Sequence, residues 1–355
     1  LVILYFTPTS TDNYTVYLND ADYIHFNQIT LKAIGTQYAN VVRFAANSTD
    51  NLISNCVIEG STELSTSSNL SLIYASGSGI NNNVFENNYF LNGSYGAYYY
   101  ASSTVTGIEL NNNTFESQYL QGIYGRYTDG IKITGNQFSN LSSASTSSKG
   151  IYLYYCNQDI ENTKNQIDMS TGTGVYLYYC TAGSTNRGLI ANNFIHVGGS
   201  SSGNYGIYVS NSDYLNFYYN SVNITNTYTY SSAFYLPNES SSYSSYLQLQ
   251  NNQFVNTGGG YAIYFYEGGA LNASDYNNLY TTGTYFSSYY GTGYNDLSAW
   301  QGATSKDLNS VSLNPEFVSN TDLHVQSYLL DNLGYPAAGV NDDIDGEARH
   351  MTLPD

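Results

Sequence analysis

A chain of 355 residues carries a formal charge of -18, from 27 Asp and Glu against 9 Lys and Arg, yet only 10% of its residues are charged. Ser, Thr, Asn and 41 Tyr therefore supply most of the polarity. So acidic a composition argues against nucleic acid and polyanionic glycans, which need basic patches, and would instead attract divalent cations.

The opening Leu1-Val2-Ile3-Leu4-Tyr5-Phe6 has no basic region or cleavage pattern, so it is not a signal peptide. It reads as a core strand, with the chain beginning inside a larger protein. No apolar run has transmembrane length, so no direct membrane span is expected. Val16-Tyr17-Leu18 and Val41-Val42-Arg43-Phe44 are the next strands, and the Ser/Thr stretches Ser61 to Ser71 and Ser142 to Ser148 read as loops.

A phrase of asparagine, any residue and a bulky apolar residue recurs at intervals of about 28 residues, which calls for a repeat architecture. It begins at Asn27, Asn55, Asn83, Asn113, Asn136, Asn165, Asn193, Asn220, Asn252 and Asn278. A second phrase runs in phase, as Gly122-Ile123-Tyr124, Gly150-Ile151-Tyr152, Gly174-Val175-Tyr176 and Gly206-Ile207-Tyr208. Looser copies lie at Tyr98, Tyr235 and Tyr264. The alternation is that of a strand buried on one face, and Gly, Ser and Asn punctuation disfavours helix.

Repeats this short cannot bury their own apolar face, so they must stack. The fold predicted is all-β: a single-stranded right-handed parallel β-helix of about ten or more coils with a C-terminal cap. Neighbours about 4.8 Å apart make ten coils a rod of roughly 48 Å. Ile131, Ile133, Asn136 and Phe138 should face inward, as should Ile108, Leu110, Asn113 and Phe115. The same spacing recurs at Leu215, Phe217, Asn220 and Val222, and at Leu247, Leu249, Asn252 and Phe254. Inward asparagines are tolerable only as a hydrogen-bonded ladder, because an unpaired buried amide costs about 1–3 kcal/mol. The expected domains are a β-helix over 1–294 and a capping segment over 295–355.

Cys156 and Cys180 occupy equivalent places in consecutive copies, either near disulfide range or as two small apolar side chains in one row. The four His are scattered, which argues against zinc. If Ile151, Val175 and Ile207 point inward, then Tyr152, Tyr176 and Tyr208 point outward, and with Tyr98, Tyr124, Tyr235 and Tyr264 they form a ladder of rings on one face. Such a row either binds glycans or surfaces, or stabilises neighbouring strands. Arg126, Asp129 and Lys132 read as a solvated charge group beside a turn. Carboxylates over 80–290 do not recur in phase, as a calcium-dependent lyase or a glycosidase would need, so no catalytic residue is assigned. A polysaccharide lyase or glycoside hydrolase remains the enzymatic alternative. The acidic loop Asn341, Asp343 and Asp345 is a candidate calcium site, although Thr352 stands where a bidentate Glu is expected.

From about residue 295 the texture changes, with a short helical turn expected at Asp296 to Gln301 around the single Trp. Leu297-Ser298-Ala299-Trp300-Gln301, Asp307 to Val311, Asn314 to Val318, Asp322 to Ser327 and Asp343 to Arg349 are specific enough to compare. Together they resemble the close of right-handed parallel β-helix repeat regions in large secreted bacterial surface proteins of the pectin-lyase-like superfamily. Many of these are exported by the type IX route, gliding-motility adhesins among them. Tyr328 to Val340 departs from that pattern. The usual ending continues past Pro354-Asp355, which implies a segment truncated from a longer chain. The resemblance implies a non-catalytic segment of a secreted, extracellular bacterial cell-surface protein: a rigid rod with adhesive faces, or else a purely structural stalk. Its partners would be glycans, surfaces or other domains of the same chain.

Overall fold

A computed structural model describes residues 2–141, 147–237, 244–266 and 270–354. The chain winds as a parallel β-solenoid whose strands form three sheets along its length. Sheet I has 11 strands, from Ile3–Phe6 to Asn278–Thr281; sheet II has 12, from Val16–Leu18 to Thr292–Tyr294; sheet III has 10, from His25–Asn27 to Leu271–Asp275. Each coil visits the sheets in that order. Every pairing between named strands is parallel except the last, Ser287–Tyr289 with Thr292–Tyr294.

The register stacks like on like. Phe90, Phe115 and Phe138 are partners in sheet I, with ring centroids 4.5 and 4.8 Å apart. Ile123, Ile151, Val175 and Ile207 align in sheet II, and Leu110 with Ile133 in sheet III. All four inward sets expected from the sequence are buried, including Ile131, Ile133, Asn136 and Phe138. The glycine of the Gly-Ile-Tyr phrase is a matter of space: a Cβ on Gly122 would sit 2.5 Å from a ring carbon of Phe138.

The corner from sheet III to sheet I organises the rod, because it places two residues with different demands side by side. The first adopts left-handed backbone, with φ of 54° at Asn87 and Asn112, 55° at Asn192 and 58° at Asn251. Asn tolerates that region better than most side chains. The second residue turns inward and builds the ladder: Asn88, Asn113, Asn136, Asn165, Asn193, Asn220, Asn252 and Asn277. At each step the backbone N–H and the side-chain N–H donate to one Oδ1 of the next coil, at 2.9 and 3.0 Å from Asn136 to Asn165. The remaining Nδ2 hydrogen reaches a strand carbonyl one coil back, as from Asn113 to Phe85 and from Asn165 to Ile133. These buried amides are therefore satisfied.

Four expected rungs lie elsewhere. Asn27 ends a sheet III strand and is exposed, while Asn55 is itself an exposed left-handed corner residue, φ 53°. Ile29 and Cys56 follow the left-handed corner residues in those coils, and the Cys56 N–H donates to Asn88 Oδ1 at 2.9 Å. Asn83 sits on the corner from sheet II to sheet III, where it accepts from the backbone and side chain of Asn51. Asn278 is one residue past the true rung Asn277 and bonds Gln253 and the Leu313 carbonyl. Adjacent corner positions that both suit Asn produce this one-residue ambiguity.

The opening strand Ile3–Phe6 is not a core strand. It pairs only with Thr30–Ala33, and all four of its residues are exposed. At the other end, helix α1 (Leu297–Thr304) is capped by Asp296, whose side chain accepts from the Ala299 N–H at 2.8 Å. It lays the buried Trp300 against Phe265 and Tyr289. The ladder ends on buried Asp307, which accepts from Asn277 Nδ2, Ser274, Ser310 and Trp300 Nε1. Burial pushes its carboxyl pKa up, and those four bonds only partly offset the shift.

Residues 314–354 run back along the outside of the rod and dock on the column of left-handed corner residues. Tyr335 stacks on Tyr276 and exchanges hydrogen bonds with Asn251. Arg349 lies over the Tyr219 ring at 3.8 Å and donates to Asn192 Oδ1. Asp342 pairs with Lys164 at 2.6 Å. This strap explains why Lys164, Tyr219 and Tyr276 occupy a conformation that Asn or Gly would hold more easily: their side chains are its anchors.

Candidate functional site

Sheet II carries the tyrosine face. Strand alternation turns Tyr74, Tyr98, Tyr124, Tyr152, Tyr176, Tyr208, Tyr235 and Tyr264 outward on eight successive coils, and all are half-buried. Successive ring centroids are 5.6, 5.1, 5.1, 4.8, 4.3, 5.1 and 4.9 Å apart. Tyr74 escaped the sequence pattern because Leu72, not Gly, precedes Ile73.

Two shorter rows widen the face. Tyr154 and Tyr178 stack at 5.2 Å beside the main row, while Tyr127, Tyr155 and Tyr179 stack on the next corner at 5.3 and 4.8 Å. The left-handed φ of those three (55°, 51° and 52°) turns their rings into line. Burial raises the Tyr98, Tyr124 and Tyr152 hydroxyl pKa values, so these phenols stay neutral donors.

Cations sit among the rings. Arg126 lies 4.4 Å from Tyr100 and 5.6 Å from Tyr154, and Lys149 lies 5.3 and 5.1 Å from Tyr152 and Tyr176. Burial pushes the Lys149 ammonium down to about 8. Arg126 thus belongs to the aromatic face. The expected charge group dissolves: Asp129 is buried and accepts from the Asn157 N–H, and Lys132 pairs with Glu109.

Sheet I carries a second feature, which the sequence did not show. A cavity of about 260 Å³ between strap and rod is lined by Phe194, Tyr219, His324 and Arg349 among others. His324 and Phe194 also border a second cavity with Asp168, and Asp168 borders a third with His196 and Thr225. The three share walls and follow one face of the rod. His324 faces Asp322 at 2.5 Å and Asp345 at 2.7 Å, with the Phe194 ring against it. Burial lowers the His324 pKa, but the two carboxylates outweigh that and raise it.

Residues 121–298 match the family model described as right-handed β-helix region, and residues 7–198 match one described as periplasmic copper-binding protein (NosD). Each span covers half of the chain or more. The chain belongs to the right-handed β-helix family. It belongs to the second family by the same measure, whose copper and periplasm are so far its description's only. No curated protein matches the chain.

Among the described residues the side chains of this β-helix do not fit a copper centre. Soft thiolates would suit copper, but Cys156 and Cys180 are free thiols sealed in the core, and buried Cys56 belongs to another coil. Among the described residues no group of three or more His, Cys, Asp or Glu is placed to hold a metal ion. The acidic loop is engaged otherwise: Asp343 accepts from the Asp345 and Glu347 N–H groups, Asp345 faces His324, and the Asn341 carbonyl accepts from Arg349. Those three residues are therefore not brought together as a calcium cage.

Proposed function

We propose that this β-helix is a rigid segment of a secreted bacterial surface protein, and that its tyrosine face adheres to glycans. The observation that carries the reading is the unbroken row of eight half-exposed rings from Tyr74 to Tyr264. A phenol ring offers an apolar face and a neutral hydroxyl, the pair of contacts a sugar ring takes. Coils about 4.8 Å apart repeat that contact along the rod, so an extended polysaccharide meets several rings at once. Strand pairing alone asks for no such width, since three rows of rings and two cations converge on the same face.

An extracytoplasmic setting is supported by the description of the second family as periplasmic, and secretion to the cell surface extends that reading. Among the described residues no helix is long and apolar enough to cross a membrane. The chain's own contribution would be reach, stiffness and a laterally sticky face, with other domains of a longer protein acting around it.

The test is a glycan array probed with the intact chain and with a Tyr152→Ala/Tyr176→Ala variant. The reading expects retention on a set of glycans that the double variant loses while melting normally. Retention kept in full by the double variant would take binding off this face, and no retention of the parent chain would leave a stalk.

A further inference from the structure

Away from the tyrosine face, three coils of sheet I bring together residues that are 28 and 29 positions apart in sequence. His196 Nδ1 lies 2.7 Å from Asp168 Oδ1, and His196 Nε2 lies 2.9 Å from Thr225 Oγ1. With Asp168 accepting from Nδ1–H, the imidazole is held in the tautomer whose Nε2 accepts the Thr225 hydroxyl proton. The imidazole is mostly covered, 12% exposed, while Thr225 is half-buried. All three border an open cavity of about 530 Å³, together with Asn140, Leu141 and Met169.

We propose that Thr225, His196 and Asp168 are the nucleophile, base and positioning residue of an acyl-transfer site that hydrolyses short-chain O-acyl esters, of the kind carried by acylated polysaccharides. A hydroxyl bonded to a base that is itself oriented by a carboxylate is the arrangement this chemistry requires, whatever the fold or residue order. Thr225 Oγ1 attacks the ester carbonyl carbon as its proton passes to His196 Nε2. The carbonyl carbon's bond to the alcohol oxygen breaks, and that oxygen leaves with the proton from Nε2. Water then attacks the Thr225 ester, gives its proton to Nε2, and the carboxylic acid departs as Thr225 Oγ1 recovers that proton. No oxidant or metal enters the balance. Asn140 borders the same cavity, and its side-chain amide, which donates to Glu116 Oε1 at 3.4 Å, is the candidate donor to the carbonyl oxygen once it turns from Glu116.

This goes beyond adhesion and departs from the non-catalytic reading of the sequence, which looked for repeated carboxylates and had no means of seeing a mixed triad. The test uses the intact chain with p-nitrophenyl acetate and an acetylated xylan, and a fluorophosphonate probe followed by peptide mass spectrometry. Expected are nitrophenolate and acetate release above the buffer rate and a probe adduct on Thr225. His196→Gln and Thr225→Val should each lower the rate by about 10²-fold or more, while Thr225→Ser restores it, all with unchanged melting temperatures. Release no faster than buffer, or an undiminished rate in folded His196→Gln or Thr225→Val, would overturn the proposal and leave a hydrogen-bonded tie between coils.

Discussion

Asn136 gives two hydrogen bonds to one oxygen of Asn165, from its backbone N–H at 2.9 Å and from Nδ2 at 3.0 Å. The same amide receives two bonds from Asn113. Each rung is thus acceptor and donor at once, and a gap orphans groups on both sides. Asn136→Ala should destabilise the rod by at least about 1–3 kcal/mol, the cost of leaving buried polar groups unpaired. Asn55→Gly, at an exposed corner whose left-handed φ of 53° glycine adopts as readily, should cost less than about 1 kcal/mol. Urea unfolding of both variants checks the pair. Equal losses would mean that the ladder has been placed in the wrong column.

The end of the ladder makes a sharper case. The Asp307 carboxylate accepts four hydrogen bonds. Asp307→Asn keeps the size but turns an N–H₂ group toward donors, so at least one bond is replaced by a donor–donor clash. A loss of about 1–3 kcal/mol is expected, read as faster hydrogen exchange in residues 270–311 with little change at mid-rod. Uniform destabilisation along the whole rod would contradict this local role.

The strap should respond to pH through His324. Both ring nitrogens face carboxylates, so both can donate only when the ring is charged. Because its pKa is raised in the docked state, its stabilisation is complete below the ordinary histidine value of about 6.5 and is lost as pH rises through the raised value. Asp322, lowered chiefly by its bond to His324, acts at the other limit: its share is lost as pH falls through its lowered value. The other charged groups bordering the adjoining cavities are Asp168, Asp331, Asp343 and Arg349, and Asp345 is in direct contact. Amide exchange at Leu323 to Val325, corrected for intrinsic rates, should be slower at pH 6 than at pH 9. His324→Gln should remove the difference; its persistence would assign the effect to another group.

The periodic part of the fold was legible because every coil pays the same geometric demand with the same residue types. What blurred was phase. At Asn87-Asn88, Asn112-Asn113, Asn192-Asn193 and Asn251-Asn252 one Asn serves the left-handed corner and its neighbour serves the ladder, so composition alone could not say which was which. Contacts outside the repeat had no signal at all. Lys164 and Asp342 are 178 residues apart, and nothing in either residue announces a strap. Asp168, His196 and Thr225 occupy neighbouring coils but are three different residue types, so a search for repeated chemistry passes over them. The tyrosine row stood out for the opposite reason, as the same residue returning on the same strand.

The claim that this row is a binding surface is tested most directly by equilibrium binding of an array-positive glycan to a series of single Tyr→Ala variants along Tyr98, Tyr124, Tyr152, Tyr176, Tyr208, Tyr235 and Tyr264. Tyr23, 81% exposed and outside the row, serves as the control. Neighbouring variants in one contiguous stretch should each weaken binding by about 0.5–1.5 kcal/mol, the worth of a lost ring contact, with Tyr23→Ala unchanged. Affinities that stay at the parent value throughout the row, with every variant folded, would contradict the account.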